Sequence, residues 1–598
     1  MSNLDSHVLW SYLWRLNAQT KAYLQLDGSR IAQDLDGVSD EALAKTARSD
    51  GGYDEPTDAG GPGGGDDSPF DVGDGYGRRQ KSGFVLGPVL FALISLSPTP
   101  AGLEPEAQAV AAVTAWVAVW WMSEAIPIPA TSLLPIVLFP LTGALPVAET
   151  TPSYAHPLIF LFMGGFFLAM AMQRWGLHKR IALRTIKLVG TRPSQLILGF
   201  MLATAFLSMW VSNSATVMMM VPIALGVIYQ TGDLIDDAGL EIDTSEGEFS
   251  FGVALMLCIA YGASVGGVAT LIGTPPNILF ASQAETLFDQ RITFGEWMVY
   301  GVPIAVLGLG IVYVYVTRIA LSPEFDQLPV GVDTIDRELE RLGVMGRQER
   351  LVLVVFVGMA LSWIGASLVD QVGLLSVPDD ADTIVAIGGA MVLFLLPTET
   401  DDGEFTFLLD WTNAKDIPWG VILLFGGGLA IAEGFSETGL AVWIGDGLTA
   451  LEGVSLLVIL FVVVVMTVFL TEVTSNTATT AMLMPILASV AVGIKVHPYG
   501  LMIAGATAAS FAFMLPVATP PNAIVFGSGY ITIPKMAKVG VGLNVIGILL
   551  ITALALLWLP IAWGIDVTTV PAEFLEAAGS DQHGVAADPL TLLTLRLT

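Results

Sequence analysis

The chain has 598 residues, 54% of them hydrophobic and only 13% charged, with a mean hydropathy of +0.69. A soluble domain carries about 25% charged residues, so most of this polypeptide belongs in lipid. A net charge of −30 argues against a nucleic-acid partner, and one cysteine, Cys258, with five scattered histidines gives neither a disulfide framework nor metal-ligand spacing.

Residues 1–80 stand apart, rich in Asp, Gly and Pro, with the run Gly60-Gly61-Pro62-Gly63-Gly64-Gly65 near their end. No apolar stretch there has the form of a signal-peptide core, so a cytosolic tail is expected, disordered around 49–77. Residues 7–26 could form a short amphipathic helix at the membrane surface. Acidic side chains gather in loops and tails, among them Asp233, Asp236, Asp237, Glu241 and Asp243. This is either a generic solvated surface or, the reading favoured here, adaptation to molar salt, where carboxylates keep the surface hydrated and screening suppresses their repulsion.

Apolar runs long enough to cross a bilayer repeat from about Gly83 to Trp563. Basic residues stay cytoplasmic, and Arg78, Arg79 and Lys81 place the start of the first span inside. Spans near 84–99, 106–123 and 129–145 bring the chain out to Leu145–Pro157, which lacks Lys and Arg. The span from 157 returns it to Arg174, Lys179, Arg180, Arg184, Lys187 and Arg192. Spans from 251 and 297 lead out and back to a linker marked by Arg318, Arg337, Arg341, Arg347 and Arg350. Spans near 351–369, 382–397 and 418–435 then reach 436–453, again without Lys or Arg.

Two motifs occur twice in this apolar sequence. Ser212-Asn213-Ser214-Ala215-Thr216 returns as Ser475-Asn476-Thr477-Ala478-Thr479, and Thr274-Pro275-Pro276-Asn277 returns as Thr519-Pro520-Pro521-Asn522. The first pair has an offset of 263, which also maps Phe162 on Phe425, Gly164-Gly165 on Gly427-Gly428, Gly176-Leu177 on Gly439-Leu440 and Pro222 on Pro485. At the Pro-Pro motifs the offset is 245, and the extra residues of the first half coincide with the acidic loop near 231–250. The halves are duplicated. The first central motif is approached from inside and the second from outside, so the repeats are inverted.

That bookkeeping requires 195–229 and 453–493 to return to the side they entered from. Each holds two apolar arms of some 15–18 residues meeting at a Ser-Asn tip. An arm of ~15 residues reaches ~22 Å as a helix, past the midplane but short of the ~30 Å core. Two ordinary spans in each segment would leave the parity unchanged; the polar tip at mid-depth favours re-entrant hairpins.

At each tip the second arm begins, so its free N–H groups and positive partial charge point there. Ser, Asn and Thr could simply cap that helix. A helix N-terminus facing a cavity also binds carboxylate, sulfate or phosphate oxygens. No Lys or Arg occurs in 193–230, 261–284 or 453–494, so helix ends and bound cations must carry any anion attraction. The Pro-Pro pairs do the opposite: they stop a helix and free carbonyls such as those of Gly273 and Ala518. Carbonyls, hydroxyls and amide oxygens suit a hard cation such as Na⁺, and Ser208 and Thr471 each precede a tip by about one turn.

Together with Trp121-Met122-Ser123-Glu124-Ala125-Ile126-Pro127, these motifs closely resemble those of the divalent anion:sodium symporter (DASS) family over residues 82–565. The resemblance implies an all-α polytopic membrane protein with eleven spans and two re-entrant hairpins, a homodimer in membrane lipid, and elevator-type movement. It implies sodium-coupled uptake of dicarboxylate, citrate or sulfate, and at least two sodium sites. The first would fall on Ser208, Ser212, Asn213 and Gly273, the second on Thr471, Ser475, Asn476 and Ala518. Substrate carboxylates would meet Ser212, Asn213, Ser214, Thr274, Pro275, Ser475, Asn476, Thr477, Thr519 and Pro520. Ser214 stands where the family tip usually has Thr, which loses a methyl and blurs the choice of substrate. Exchangers of the family lack sodium-site residues; retention of Ser208, Thr471 and both Asn residues favours the symporter branch.

The expected organisation is a tail 1–80, a first repeat 82–320 with hairpin 193–230, a cytoplasmic linker 321–350, a second repeat 351–565 with hairpin 453–494, and an acidic extracellular tail 566–598. A sodium/proton antiporter would need an intramembrane Asp or Glu at the site, for which Glu433 and Glu472 are the candidates. An enzyme finds no support, since no His-rich metal motif, phosphate loop or Ser–His pairing lies among the spans. A channel suits one binding site with two re-entrant gates less well than alternating access does.

Overall fold

Proline sets where many of the helices begin. In the computed structural model, which describes residues 77–574 apart from 191, 238–239, 241, 324–332, 373–376, 379, 400–404 and 448–452, Pro105, Pro157, Pro193, Pro275, Pro498 and Pro520 all open helices. A first-turn residue needs no N–H partner, and the proline φ is already helical. Glycine sets two of the turns. Gly176 (φ +69) joins the helix Pro157–Arg174 to Leu177–Val189, and Gly439 (φ +70) joins Trp419–Glu437 to Leu440–Gly447. Both are left-handed, a conformation glycine takes without steric cost, and they stand in the 263-residue register.

The molecule is helical apart from a small antiparallel pair, Pro397–Glu399 with Phe405–Phe407, among the described residues. Among the described residues, eight helices are long and apolar enough to cross a membrane, and four shorter apolar ones accompany them. Two equivalent helices form the centre: Ser250–Gly267, buried from Phe251 onward, and Pro498–Ala509, buried along its whole length. Helices apolar on every side find partners on every side. Arg347–Val369 and Ile533–Trp563 lie at the periphery, where Leu361, Leu368, Leu549 and Leu557 are exposed in the manner of a lipid-facing surface.

Elements of one half pack on elements of the other. The helix after the first Pro-Pro break, Pro275–Phe288, lies on Asn476–Gly493; its counterpart Pro520–Gly527 lies on Asn213–Asp237. Phe162 and Phe425 occupy equivalent positions and their rings touch, with centroids 5.2 Å apart. Two equivalent residues meet only near the axis that relates them. Gly164 lets its helix approach the backbone of Ala386, where an added Cβ would lie 2.6 Å from the carbonyl carbon, and Gly427 makes the same kind of approach to Ser132.

The hairpin arms differ from the expected 15–18 residues in one place. Pro193–Ser208 and Leu456–Thr471 have 16 residues each and Asn476–Gly493 has 18, but Asn213–Asp237 has 25. At 1.5 Å per residue the last reaches ~37 Å. Its final turns turn amphipathic: Val227, Thr231 and Ile235 stay buried at four-residue spacing while Asp233, Asp236 and Asp237 carry the helix beyond the apolar run. The basic stretch after Arg174 has a defined task as well. Arg180 and Glu349 form a buried ion pair, Arg180 also donates to the carbonyls of Gly343 (2.8 Å) and Leu342 (3.1 Å), and Lys187 meets Asp336 at 2.6 Å. These bonds fasten the linker helix Asp333–Leu342 to Leu177–Val189. The tail expectations for 1–76, including the helix over 7–26, and those for residues beyond 574 lie outside the described residues.

Candidate cation and anion sites

Each tip is a short non-helical connection between two arms. Residues 209–212 join Ser208 to the helix beginning at Asn213, and residues 472–475 join Thr471 to the helix beginning at Asn476. Ser212 Oγ accepts from the Ala215 N–H at 3.3 Å, and Ser475 Oγ from the Ala478 N–H at 3.5 Å. The serines therefore do cap, and the cap leaves the other first-turn N–H groups directed at the tip. Ser212, Asn213 and Ser214 are half-buried, as are Ser475, Asn476 and Thr477. The tips remain reachable while the residues beneath them do not.

Ser208 and Thr471 are fully buried and make the same two contacts. The Ser208 hydroxyl faces Asn213 Oδ1 and the Ala263 carbonyl, the latter at 2.8 Å. The Thr471 hydroxyl faces Asn476 Oδ1 at 2.6 Å and the Ala509 carbonyl at 3.1 Å. A hydroxyl has one hydrogen, so it can satisfy only one of two acceptors. In each cluster one hydroxyl hydrogen serves two neutral oxygens, the kind of ligand set that suits a hard cation. Gly267 and Gly273 add to the first: a Cβ on Gly267 would lie 2.9 Å from Asn213 Oδ1 and 3.0 Å from the Gly273 carbonyl oxygen, and one on Gly273 would lie 2.3 Å from the Gly267 oxygen. Ser208, Asn213 and Gly273 are thus brought together. In the second half the residues in register are Ala512 and Ala518, both buried.

The breaks present helix N-termini of their own. Thr274 (φ −146, ψ 142) and Thr519 (φ −143, ψ 148) are extended, and the helices start at Pro275 and Pro520. Thr519 Oγ1 accepts from the Asn522 N–H at 3.4 Å, whereas the Thr274 hydroxyl makes no cap bond. Both threonines are 3% exposed; Pro275 is half-buried and Pro520 exposed. Four helix N-termini, those of Asn213–Asp237, Pro275–Phe288, Asn476–Gly493 and Pro520–Gly527, begin at the paired motifs. No group of three or more His, Cys, Asp or Glu that could hold a metal occurs among the described residues; the oxygens gathered at Ser208 and Thr471 are those of hydroxyls, side-chain amides and backbone carbonyls.

Glu472 has a different role from a titrating site group. Its Oε1 accepts from the N–H groups of Phe513 (2.8 Å) and Met514 (2.9 Å) and from Asn544 Nδ2 (2.6 Å), and its Oε2 accepts from the Leu515 N–H at 3.0 Å. Four donors commit both oxygens to shaping the second break. The position in register in the first half is Met209, whose carbonyl instead accepts from Thr270 Oγ1 at 2.5 Å. Sequence reasoning placed Glu472 beside Thr471 but could not reach Asn544, which lies 72 residues on. It also missed the carbonyls of Ala263 and Ala509; nothing in an alanine side chain signals them.

Comparison with known proteins identifies the family of the chain. The model of the sodium:sulfate symporter transmembrane region matches residues 80–564. The chain is 45% identical over 494 residues to the sodium-dependent dicarboxylate transporter SdcS of Staphylococcus saprophyticus, covering 82% of this chain and 94% of that protein. It is 44% identical over 500 residues to the SdcS of Staphylococcus aureus strain bovine RF122, covering 83% and 94%. Among solved structures it superposes on the YdaH transporter of Alcanivorax borkumensis with a TM-score of 0.48 at 14% identity, over 81% of this chain and 97% of that one. The protein is a multi-pass membrane transporter and not an enzyme, and it belongs to the sodium:sulfate symporter family, the divalent anion:sodium symporters whose motifs it carries.

Proposed function

We propose that this protein takes C4-dicarboxylates such as succinate, fumarate and malate into the cell by sodium-coupled symport and alternating access. The observation that carries this reading is the pair of buried oxygen clusters, Ser208 with Asn213 and Thr471 with Asn476, each directly beneath a reachable helix N-terminus. Sodium binds at Ser208, Ser212, Asn213 and Gly273 and at Thr471, Ser475, Asn476 and Ala518. The carboxylates bind at the N–H groups and hydroxyls of Ser212, Asn213, Ser214, Thr274 and Pro275 and of Ser475, Asn476, Thr477, Thr519 and Pro520.

The charge argument selects the substrate. No guanidinium or ammonium lies in the hairpins or breaks, so an anion is held by helix ends and by the cations themselves. Two symmetric helix-end sites match a molecule with a negative group at each end, and two Na⁺ neutralise a dianion. A tetrahedral sulfate engages only one tip fully, and citrate carries a third charge. The names of the two SdcS relatives support the dicarboxylate choice.

The same reading places the repeats in inverted orientation, the N-terminus in the cytoplasm, the C-terminus outside, and the 193–230 and 453–494 segments as re-entrant hairpins of an elevator that works as a homodimer. Uptake into proteoliposomes tests it. Labelled succinate should accumulate only with an inward sodium gradient, and unlabelled succinate should compete far better than equimolar sulfate or citrate. Stronger competition by sulfate assigns the protein to sulfate, and uptake driven by internal dicarboxylate without sodium assigns it to exchange.

A further inference from the structure

Both Pro-Pro motifs end in an asparagine, and the two asparagines do the same thing. Asn277 and Asn522 are fully buried. Asn277 Nδ2 donates to the carbonyls of Gly267 (3.0 Å) and Thr270 (2.7 Å), with Val268 at 3.4 Å. Asn522 Nδ2 donates to the carbonyls of Ala512 and Leu515, both at 3.1 Å. Gly267 maps on Ala512 and Thr270 on Leu515 at the 245-residue offset of the motifs themselves. Each amide therefore reaches back ten and seven residues, from the first turn of the helix after the break to the start of the break.

The orientation of these amides is fixed by their neighbours. Turning either one over would set its oxygen against the carbonyl oxygens it now serves. The consequence is visible at the other end: Asn277 Oδ1 and Asn522 Oδ1 are both buried and without a hydrogen-bond partner. An unsatisfied buried acceptor is costly, and here the fold accepts it twice, at equivalent positions. What both halves retain is the NH₂ end.

We infer that Asn277 and Asn522 are positioning residues that hold the two breaks in their cation-binding shape before any cation arrives. A chain freed from helical hydrogen bonding has no reason to keep its carbonyls converged, because carbonyl dipoles repel one another. Each amide ties the first carbonyls of the break to the turn that follows, so the loop closing at Gly273 or Ala518 is held rather than floppy. For the first break the tie also fixes Gly267, whose backbone lies against both Asn213 and Gly273. Preorganisation lowers the ordering cost of binding and so acts on cation affinity. The inference rests on the sodium-coupled reading above and deepens it.

The test uses the full-length chain in proteoliposomes, with Asn277→Asp, Asn277→Ser and the same two changes at Asn522, and succinate as the probe. Asp replaces the two N–H donors by at most one O–H at almost unchanged volume, and Ser keeps one short donor. The sodium concentration for half-maximal uptake should rise about tenfold in the Asp variants and less in the Ser variants, with similar shifts at the two positions. The succinate half-saturation at saturating sodium should stay within about twofold of the parent. A purely structural role would lower protein yield or maximal rate and leave the sodium half-saturation in place, and that outcome overturns the inference. Should an Asp variant fail to fold, the Ser variant decides by the same readout, together with the sodium-induced rise of the unfolding midpoint in detergent, which should shrink. Parent uptake that ignores sodium overturns the coupling reading and the inference with it; sodium-dependent parent uptake with unshifted variants overturns the inference alone.

Discussion

The two breaks do one job with different means. In the first, the helix runs on to Gly267, so the Ala263 carbonyl that faces Ser208 lies inside the helix, and the chain is closed by backbone contact between Gly267 and Gly273. In the second, the helix stops at Ala509 and the Glu472 carboxylate takes the Phe513, Met514 and Leu515 N–H groups. In a continuing helix Phe513 would have bonded to the Ala509 carbonyl. With that donor removed, the Ala509 oxygen is released toward Thr471. A pair of glycines and a buried carboxylate thus reach the same oxygen cluster. Duplication preserved the oxygen cluster and let its supports diverge.

The largest effects should come where the halves are alike. Asn213→Ala and Asn476→Ala each remove an amide oxygen that sits against the buried hydroxyl and begins a helix. Losing a buried polar partner costs about 1–3 kcal/mol, and coupling passes the loss on to the anion, so uptake should fall by ~100-fold in either variant while folded protein is recovered. Near-normal uptake by one of them would mean that the halves are not functional equivalents.

Glycine substitution breaks the comparison directly. A Cβ at Gly273 would lie 2.3 Å from the Gly267 oxygen, a backbone atom with no room to yield, yet the second half already carries alanine in register. Gly273→Ala should therefore reduce uptake about tenfold or more, the scale of a 1.4 kcal/mol strain, whereas Ala518→Gly should stay within about twofold. Equal effects of the two changes would show that the backbone contact is not what closes the first site.

A third test separates ligands from supports. Ser208→Ala and Thr471→Val delete the hydroxyls and should each raise the half-saturating sodium concentration about tenfold, an effect of ~1–1.5 kcal/mol. Glu472→Gln keeps the shape but turns an amide NH₂ toward backbone N–H groups. It should lower the unfolding free energy of the purified protein by ~1–3 kcal/mol, while Met209→Leu at the matched position costs less than about 1.5 kcal/mol. Thermal unfolding of the two variants against sodium titration distinguishes them: a support lost shifts the midpoint at every sodium level, and a ligand lost flattens its sodium dependence.

Much of this was open to the sequence because breaks and caps are written in residue types. Pro-Pro, Ser-Asn and left-handed Gly176 and Gly439 each have a conformational meaning on their own, and the constant offset of 263 doubled the signal. The extra turns of Asn213–Asp237 were harder, since the apolar run that defines an arm ends before the helix does. Side-chain direction was not legible at all. Asn277 and Asn522 stood in plain view within the repeated motif, but whether an amide faces a cation, a substrate or the loop behind it depends on rotamer and tertiary placement. The carbonyls of Ala263 and Ala509 are invisible for a simpler reason: every residue has one.

The smallest effect concerns the axis itself. Phe162 and Phe425 are equivalent by the 263-residue offset, both are buried, and their rings meet at an interplanar angle of 51°. If they straddle a pseudo-twofold axis, each sees an environment much like the other's. Phe162→Leu and Phe425→Leu should then destabilise the protein to a similar extent. The double-mutant cycle should return a coupling of ~0.5–1.5 kcal/mol, the contribution of an aromatic pair beyond its buried area. Phe162 also lies 4.3 Å, centroid to centroid, from Phe166, where the residue in register is Leu429. The first substitution therefore breaks one more ring contact than the second, and the difference between the two single variants measures how far the halves have drifted apart at the axis. Single-variant costs that differ by more than one aromatic pair would place the axis elsewhere.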